Sequence, residues 1–310
     1  MVLYLVTGGA GFIGSHIVQA LVERGECVRV LDNFSTGRRE NLATAVSTSS
    51  SGLLEVIEGD IRDLDTVRRA MDGVKYVLHQ AAIVSVQQSM ADPSETHAVN
   101  ATGTLNVLWA AQEARVKRVV FASSCAIYGD NDDLPLAETA LPRPLSPYAA
   151  SKLAGETYCQ VFSSAYDLPT VCLRYFNVYG PRQDPNGDYA AVIPKFVARM
   201  KAGQAPVIYG DGKQTRDFVY VGEIVRANLK ACEHGAASGR VFNVASGLRT
   251  SLLELVGTLN ELLGTQFTPK LEPARKGDIL HSAGDGGRMA ELLGYRVETS
   301  LVEGLKQLLA

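Results

Sequence analysis

The sequence predicts an α/β protein: a doubly wound parallel sheet with a smaller α/β unit at its C-terminal end. Three features predict it. Short, continuously apolar runs alternate with amphipathic segments from the first residue. A glycine-rich turn stands where the first run gives way to a helix, and the alternation loosens after about residue 177. Runs without polar alternation belong to strands covered on both faces, which helices flanking a parallel sheet provide.

Taken in order, residues 2–6 form the first strand, followed by the turn and a helix near 13–24. Runs at 27–31, 54–57, 76–78, 119–122 and 171–173 repeat the strand signal, and helical patterns at 64–71, 96–114 and 147–166 separate several of them. The serine-rich stretch 47–52 reads as a surface loop. Beyond 177, turn formers fill 181–187 and a helix over 189–202 stops at Gly203. Gly210 and Gly212 bracket a tight turn, 241–244 is a further strand, and 251–263 a further amphipathic helix. No internal repeat is visible.

Composition narrows the function classes. With 310 residues, 46% hydrophobic and 20% charged, the chain has the makings of a large folded core, not of a disordered segment. Thirty Lys and Arg against 33 Asp and Glu leave a net charge of −3, so no basic excess exists to neutralise a nucleic-acid backbone. No apolar run approaches the roughly 18 residues of a membrane span, and the N-terminus has no secretory pattern. The five cysteines, at 27, 125, 159, 172 and 232, are odd in number and lack CxxC spacing. They predict neither disulfides nor zinc, and a reducing, cytoplasmic setting.

The turn TGGAGFIGS (7–15) carries the first chemistry. Its glycines let the backbone turn tightly and approach a pyrophosphate, which then rests on the positive end of the following helix. Asp32 closes the second strand, where a carboxylate accepts the ribose hydroxyls and repels a 2′-phosphate. Strand, turn, helix and acid together predict a dinucleotide site that favours NAD, with Arg38 and Arg39 leaving some room for NADP. Asp60 and Ile61 follow the third strand on the adenine side, although Asp60 also suits a helix cap. His79 has no second ligand at metal spacing and reads as a packed strand-end residue; no metal site is expected. The small residues after it suit close backbone approach to a cofactor.

Tyr148 and Lys152 stand four apart on a predicted helix and so share a face. A free tyrosine with a pKa near 10 is a poor base. A lysine charge beside it is expected to lower that pKa and make Tyr148 usable in proton transfer. Ser123 and Ser124 end a strand at the sheet edge where open α/β folds bind ligands.

The chain resembles the extended short-chain dehydrogenase/reductases, and within them the nucleotide-sugar 4-epimerases. The resemblance covers essentially the whole chain. It rests on TGGAGFIGS (7–15), LDNFSTG (31–37), GDIRD (59–63), FASSCAIYGD (121–130), SPYAASK (146–152), LRYFNVYGPRQ (173–183) and the RDF segment at Arg216. It implies a Rossmann-type NAD domain over 1–176, with returning segments near 217–246, and a UDP-sugar domain over 177–310. Ser124, Tyr148 and Lys152 would be the catalytic set. NAD would be held by Gly8, Gly11, Phe12, Ile13 and Gly14, by Asp32, Asn33, Phe34, Ser35, Thr36 and Gly37, and by Asp60 and Ile61. Gln80, Ala81, Ala82, Asn100, Tyr175 and the Tyr148–Lys152 pair would complete that site.

For the UDP-sugar the resemblance implies Ser85, Ser124, Tyr148, Phe176, Asn177, Val192, Lys195 and Tyr209. Arg216 and Arg275 would grip the diphosphate and Asp278 the ribose. The chemistry implied is a redox round trip at C4 with no net oxidation, hence an isomerase. Related dehydratases carry Thr-Asp-Glu where this chain has Ser124-Cys125-Ala126, which disfavours dehydration. Ser282 falls where strict UDP-glucose/galactose epimerases tend to have tyrosine, and a small residue there leaves room for an N-acetyl group. Residues 182–195 resemble bacterial enzymes that prefer UDP-N-acetylglucosamine, and Ser85 stands where those can bond the acetamide. The leading expectation is therefore 4-epimerisation of UDP-GlcNAc and UDP-GalNAc, feeding a polysaccharide or glycan pathway. UDP-glucose/galactose and UDP-glucuronate remain open as substrates, as does an idle NAD-binding regulator. The family is usually dimeric through helices that the 96–114 and 147–166 segments would supply.

Overall fold

The protein is described by a computed structural model covering residues 1–48, 52–185, 191–274 and 279–310. Its centre is a parallel sheet of seven strands: β1 (Leu3–Thr7), β2 (Cys27–Asp32), β3 (Leu54–Glu58), β4 (Tyr76–His79), β5 (Arg118–Ser124), β6 (Thr170–Tyr175) and β11 (Arg240–Val244). They lie in the order β11-β6-β5-β4-β1-β2-β3. The order reverses direction between β1 and β4, the kind of switch point at which open α/β sheets bind ligands beyond their strand ends.

The burial of the strands follows from what covers them. Every residue of β6 is buried, as are the first six of β5. Edge strand β3 keeps only Leu54 and Ile57 half-covered and exposes Glu55, Val56 and Glu58, charges that suit a free edge. On one face α1 (Phe12–Glu23) packs Ile17, Val18, Leu21 and Val22 inward, the spacing of a one-sided helix. On the other, α3 (Leu64–Met71), α6 (Gly103–Glu113) and α7 (Pro147–Ala165) cover the sheet, burying residues such as Val67, Val107, Leu108 and Phe162. Between β2 and β3 in the chain lies α2 (Ala43–Thr48), and α4 (Val86–Ala91) and α5 (Pro93–His97) precede α6.

A second apolar core joins Tyr179, Ile193, Phe196, Met200, Leu255, Leu259 and Leu305. It is built by α8 (Val192–Lys201), α10 (Leu252–Leu263) and α12 (Leu301–Leu309) with short strand pairs. These pairs are β7 (Asn177–Tyr179) with β10 (Phe218–Tyr220), β8 (Val207–Tyr209) with β13 (Lys270–Glu272), and β9 (Thr215–Arg216) with β12 (Thr250–Ser251). The segment that rejoins the large sheet is α9 (Val221–Glu233) followed by β11, and α11 (Gly287–Leu293) places Met289 and Leu293 in the first core.

Several expectations need correction. The helix expected over 96–114 begins at Pro93 and is interrupted by a π turn, Ala98–Thr102, before α6. Such widened turns arise where a side chain must be re-aimed, and Asn100 lies inside this one. The loop expected at 47–52 starts as the end of α2, and 49–51 lie outside the described residues. The helix expected from 189 begins at Val192, with 189–190 likewise outside. Helix α9 carried no prediction, although its stripe of Val221, Ile224, Val225 and Leu229 has helical spacing.

Candidate active site

The glycine turn is shaped by close packing. Gly8 takes a φ of +67°, and a Cβ on it would lie 2.7 Å from the backbone nitrogen of Ala81. A Cβ on Gly14 would fall 2.1 Å from the Gly8 carbonyl oxygen. Helix α1 starts at Gly11 with no side chain capping it, so Phe12 and Ile13 open an uncapped helix end of the kind that attracts anions. Asp32 is oriented by two backbone donors, Ala10 N–H at 2.9 Å and Phe34 N–H at 2.8 Å. Phe34 has a left-handed φ of +55°, and its ring carries the Arg39 guanidinium at 4.2 Å. Ser35 N–H donates to the Asn33 side chain; Thr36 and Gly37 continue the loop, with Gly37 against the Asp32 carboxylate.

Asp60 is not a helix cap. That role belongs to Asp63, which caps α3 by accepting from Asp65 N–H. Asp60 instead accepts from Arg62 and Asn33, and the Arg62 bonds hold its carboxyl down to about 2. Ile61 is buried beneath it. His79 is buried between the hydroxyls of Thr7 (2.7 Å) and Thr104 (2.9 Å), and burial pushes its pKa down to about 3. Among the described residues no group of His, Cys, Asp or Glu is arranged to hold a metal. Gln80 and Tyr175 bond to Asn228 in a buried triad, with Tyr175 OH to Gln80 Oε1 at 3.3 Å. Ala81 N–H donates to Thr7, and Ala82 leads into Ile83. Asn100 accepts from Ile83 N–H (2.8 Å) and donates to Ile83 O and to Ser151 Oγ (3.0 Å), tying this strand end to α7.

The structure brings Ser124, Tyr148 and Lys152 together. Ser124 ends β5, and its Oγ accepts from Ala126 N–H at 3.1 Å, which leaves its own proton to donate. Its hydroxyl also stands by the Tyr148 phenol and favours the ionised form of that phenol. Lys152 is buried and donates to the Ala122 carbonyl at 2.8 Å, with its ammonium 5.1 Å from the centre of the Phe121 ring. The expected effect of Lys152 on Tyr148 is corrected here. Burial raises Tyr148 to about 12, and only Ser124 opposes it. Burial likewise pulls Lys152 down to about 8. Both groups lose hydration in the fold, and neither shift has the other group among its causes.

A cavity of about 1170 Å³ opens between the ends of β7 and β8, α8 and the 84–87 segment, and Ser124, Tyr148 and Lys152 are not on its lining. Ser85, Asn177, Val192, Lys195, Tyr209 and Arg216 all line it. With Arg199 they bring three cations, and no carboxylate, to its described lining. That charge suits a diphosphate. Ser85 also caps α4 by accepting from Gln88 N–H. Phe176 is not on this lining; it is buried under Gly284, whose Cβ would meet its ring at 2.5 Å. Ser282 is buried and is not on this lining, with its N–H donating to Thr215 O at 3.1 Å and its hydroxyl near the Cys125 thiol. Burial raises that thiol to about 12. Arg275 and Asp278 lie outside the described residues.

Sequence reasoning missed two supports of the site. Glu156, one turn beyond Lys152 on α7, accepts from Ser123 Oγ (2.5 Å) and pairs with Arg174 through two bonds of 2.9 and 2.8 Å. Its i,i+4 spacing from Lys152 was the available signal. Asp217, adjoining Arg216, gathers four donors from loops that no local pattern connects.

The match to known proteins agrees with this geometry. The model of the NAD dependent epimerase/dehydratase family matches residues 4–245. The chain belongs to this family. A UDP-glucose 4-epimerase from Mycolicibacterium smegmatis is 40% identical, over 97% of this chain and 95% of that one. The structure of the UDP-N-acetylglucosamine 4-epimerase from Methanobrevibacter ruminantium, complexed with UDP-N-acetylmuramic acid, superposes with a TM-score of 0.93. It is 40% identical and covers 98% of this chain and 96% of its own. The UDP-glucose 4-epimerase of Thermotoga maritima with UDP-glucose gives 0.92 at 41% identity, covering 99% and 97%. For a member of an NAD dependent family, the uncapped α1, the glycine turn and the oriented Asp32 fit the cofactor. No helix among the described residues is long and apolar enough to cross a membrane.

Proposed function

We propose that the protein is a UDP-sugar 4-epimerase that accepts UDP-N-acetylglucosamine and UDP-N-acetylgalactosamine. The observation that carries this is a cavity whose described lining brings Lys195, Arg199 and Arg216 and no carboxylate, in a chain that also gathers Ser124, Tyr148 and Lys152 at the end of β5. The glycine turn with Phe12 and Ile13 holds the pyrophosphate of NAD, Asp32 its ribose, and Lys152 the ribose beside the nicotinamide. When bound, NAD accepts a hydride from the sugar C4 and returns it.

The chain's own residues manage the proton and the pose. Tyr148 removes the 4-hydroxyl proton as a phenolate and gives it back on reversal, which requires a pKa well below the value near 12 that burial imposes. The positive charge of oxidised NAD, when bound, would supply that lowering. Ser124 donates to the sugar O4, its acceptor side being occupied by Ala126 N–H. Arg216, with Arg275, grips the diphosphate while the 4-keto sugar turns to offer its other face; Tyr209 packs on the base and Asp278 takes the ribose.

Ser282 supports the N-acetyl reading. It is a small buried residue beside Cys125 and not an ordinary surface serine. A small wall admits the larger sugar without excluding the smaller, and the relatives named UDP-glucose 4-epimerases favour activity on UDP-glucose and UDP-galactose as well. The domain division at 177 and a homodimer belong to the same proposal. Trp109 on α6 and Tyr158 and Val161 on α7 expose an apolar face that a second copy would cover, and Val161→Glu is expected to give a monomer by light scattering.

Purified protein incubated without added cofactor, with each of the four UDP-hexoses and UDP-hexosamines, tests the function. Interconversion of UDP-GlcNAc and UDP-GalNAc is expected. Turnover of the plain hexoses alone would discard the reading of Ser282. Turnover of none would discard these four substrates and leave UDP-glucuronate or an idle NAD-binding regulator.

A further inference from the structure

We propose that Asp217 is a positioning residue for the UDP-sugar, fixing one wall of the cavity without touching the redox chemistry. It is fully buried, its carboxylate forms no ion pair among the described residues, and every bond that carboxylate makes is to a loop. Oδ1 accepts from Ser246 N–H (2.9 Å) and Ser246 Oγ (2.7 Å), and Oδ2 from Gly247 N–H (3.0 Å) and Gly284 N–H (3.1 Å). Its main-chain carbonyl accepts from both the backbone N–H (3.0 Å) and the side-chain amide (3.1 Å) of Asn177.

One residue therefore joins three segments of the proposed substrate site. Arg216 precedes it in the chain, Asn177 hangs from its carbonyl, and Gly284 is two residues from Ser282. None of these bonds reaches the glycine turn, Asp32 or Lys152. A buried carboxylate with four donors holds their geometry more firmly than neutral acceptors would. Replacing one oxygen by an amide is instructive. An NH2 facing Gly247 and Gly284 would set donors against donors. Turned toward Ser246, it would be accommodated by that hydroxyl but would orphan the Ser246 N–H. Asp217→Asn thus loosens one tether, Ser246→Ala removes only the hydroxyl bond, and Asp217→Ala frees both loops that the carboxylate holds.

This inference rests on the UDP-sugar reading, and the test separates the two. The full chain with its own NAD is compared with Ser246→Ala, Asp217→Asn and Asp217→Ala. The readouts are KM and kcat for the sugar turned over, the Kd of UDP by calorimetry, and NAD content after acid release. KM and the UDP Kd are expected to rise in the order Ser246→Ala, Asp217→Asn, Asp217→Ala, by about tenfold for Asp217→Asn, equivalent to losing one charge-assisted bond. Across Ser246→Ala and Asp217→Asn, kcat is expected to stay within about threefold, and NAD content to stay at the wild-type level. Should Asp217→Ala not fold, the two milder variants carry the comparison. Unchanged KM and Kd in both would overturn the assignment, as would kcat and NAD content falling in step with KM. Wild-type protein that binds no UDP would instead remove the substrate reading on which it rests.

Discussion

Glutamate 156 and arginine 174 offer a direct measure of how firmly the catalytic strand is held to α7. Their side chains are 2% and 5% exposed, and the pair is bidentate at 2.9 and 2.8 Å. Ser123 donates to the same carboxylate, while Arg174 also donates to Tyr128 OH at 2.8 Å. Removing the carboxylate with Glu156→Ala strands a buried guanidinium, which costs about 3–5 kcal/mol. At roughly 2.1 cal/mol/K per residue of unfolding entropy, that lowers Tm by about 5–8 °C in a chain of 310 residues. Replacing both partners by methionine removes the stranded charge, so the double variant is expected to be more stable than Glu156→Ala. Differential scanning calorimetry of wild type, Glu156→Met, Arg174→Met and the double variant gives the coupling energy. Simple addition of the two single effects, or a loss below about 1 kcal/mol for Glu156→Ala, would refute the argument. Because Ser123 adjoins Ser124, Glu156→Ala is also expected to lower kcat, with partial recovery in the double variant.

Three further outcomes follow from the same geometry. Gly14→Ala places a Cβ 2.1 Å from the Gly8 carbonyl; the turn must open, and the purified variant is expected to release little or no NAD on acid treatment. Tyr148→Phe keeps the ring but loses the proton carrier, so turnover is expected to fall by about 10²–10⁴-fold or more while NAD content and UDP binding persist. Retained epimerisation in that variant would end the assigned role. His79 is held neutral to about pH 3, whereas in the unfolded chain it takes up a proton below about 6.5. Stability is therefore lost as pH falls through that window, by at most about 1.4 kcal/mol per pH unit. His79→Gln keeps partners for Thr7 and Thr104 without a titrating ring, and urea unfolding at pH 7 and pH 5 should show a flatter response than wild type.

Much of the fold was legible because it is written in local periodicity. The runs at 27–31 and 119–122 became β2 and β5 almost residue for residue, and the 64–71 pattern is α3. Amphipathic spacing and glycine punctuation depend only on neighbours in the chain. The π turn around Asn100 was not legible. Its sequence has ordinary helical spacing, and the distortion accompanies bonds to Ile83 and Ser151, 17 and 51 positions away.

The same division runs through the site. The sequence by itself determined the parallel α/β frame, the glycine turn with Asp32, and the placing of Tyr148 and Lys152 on one helical face. Each is a short-range pattern with a single stereochemical outcome. Only the tertiary structure decided that Tyr148 is raised to about 12 and not lowered, that Ser282 is buried against Cys125, and that the Asp217 side chain binds two loops far from it and from each other in the chain. Hydration lost on burial and hydrogen bonds between distant segments are set by what the fold packs around a group, and neither has a signature in the residues adjoining it.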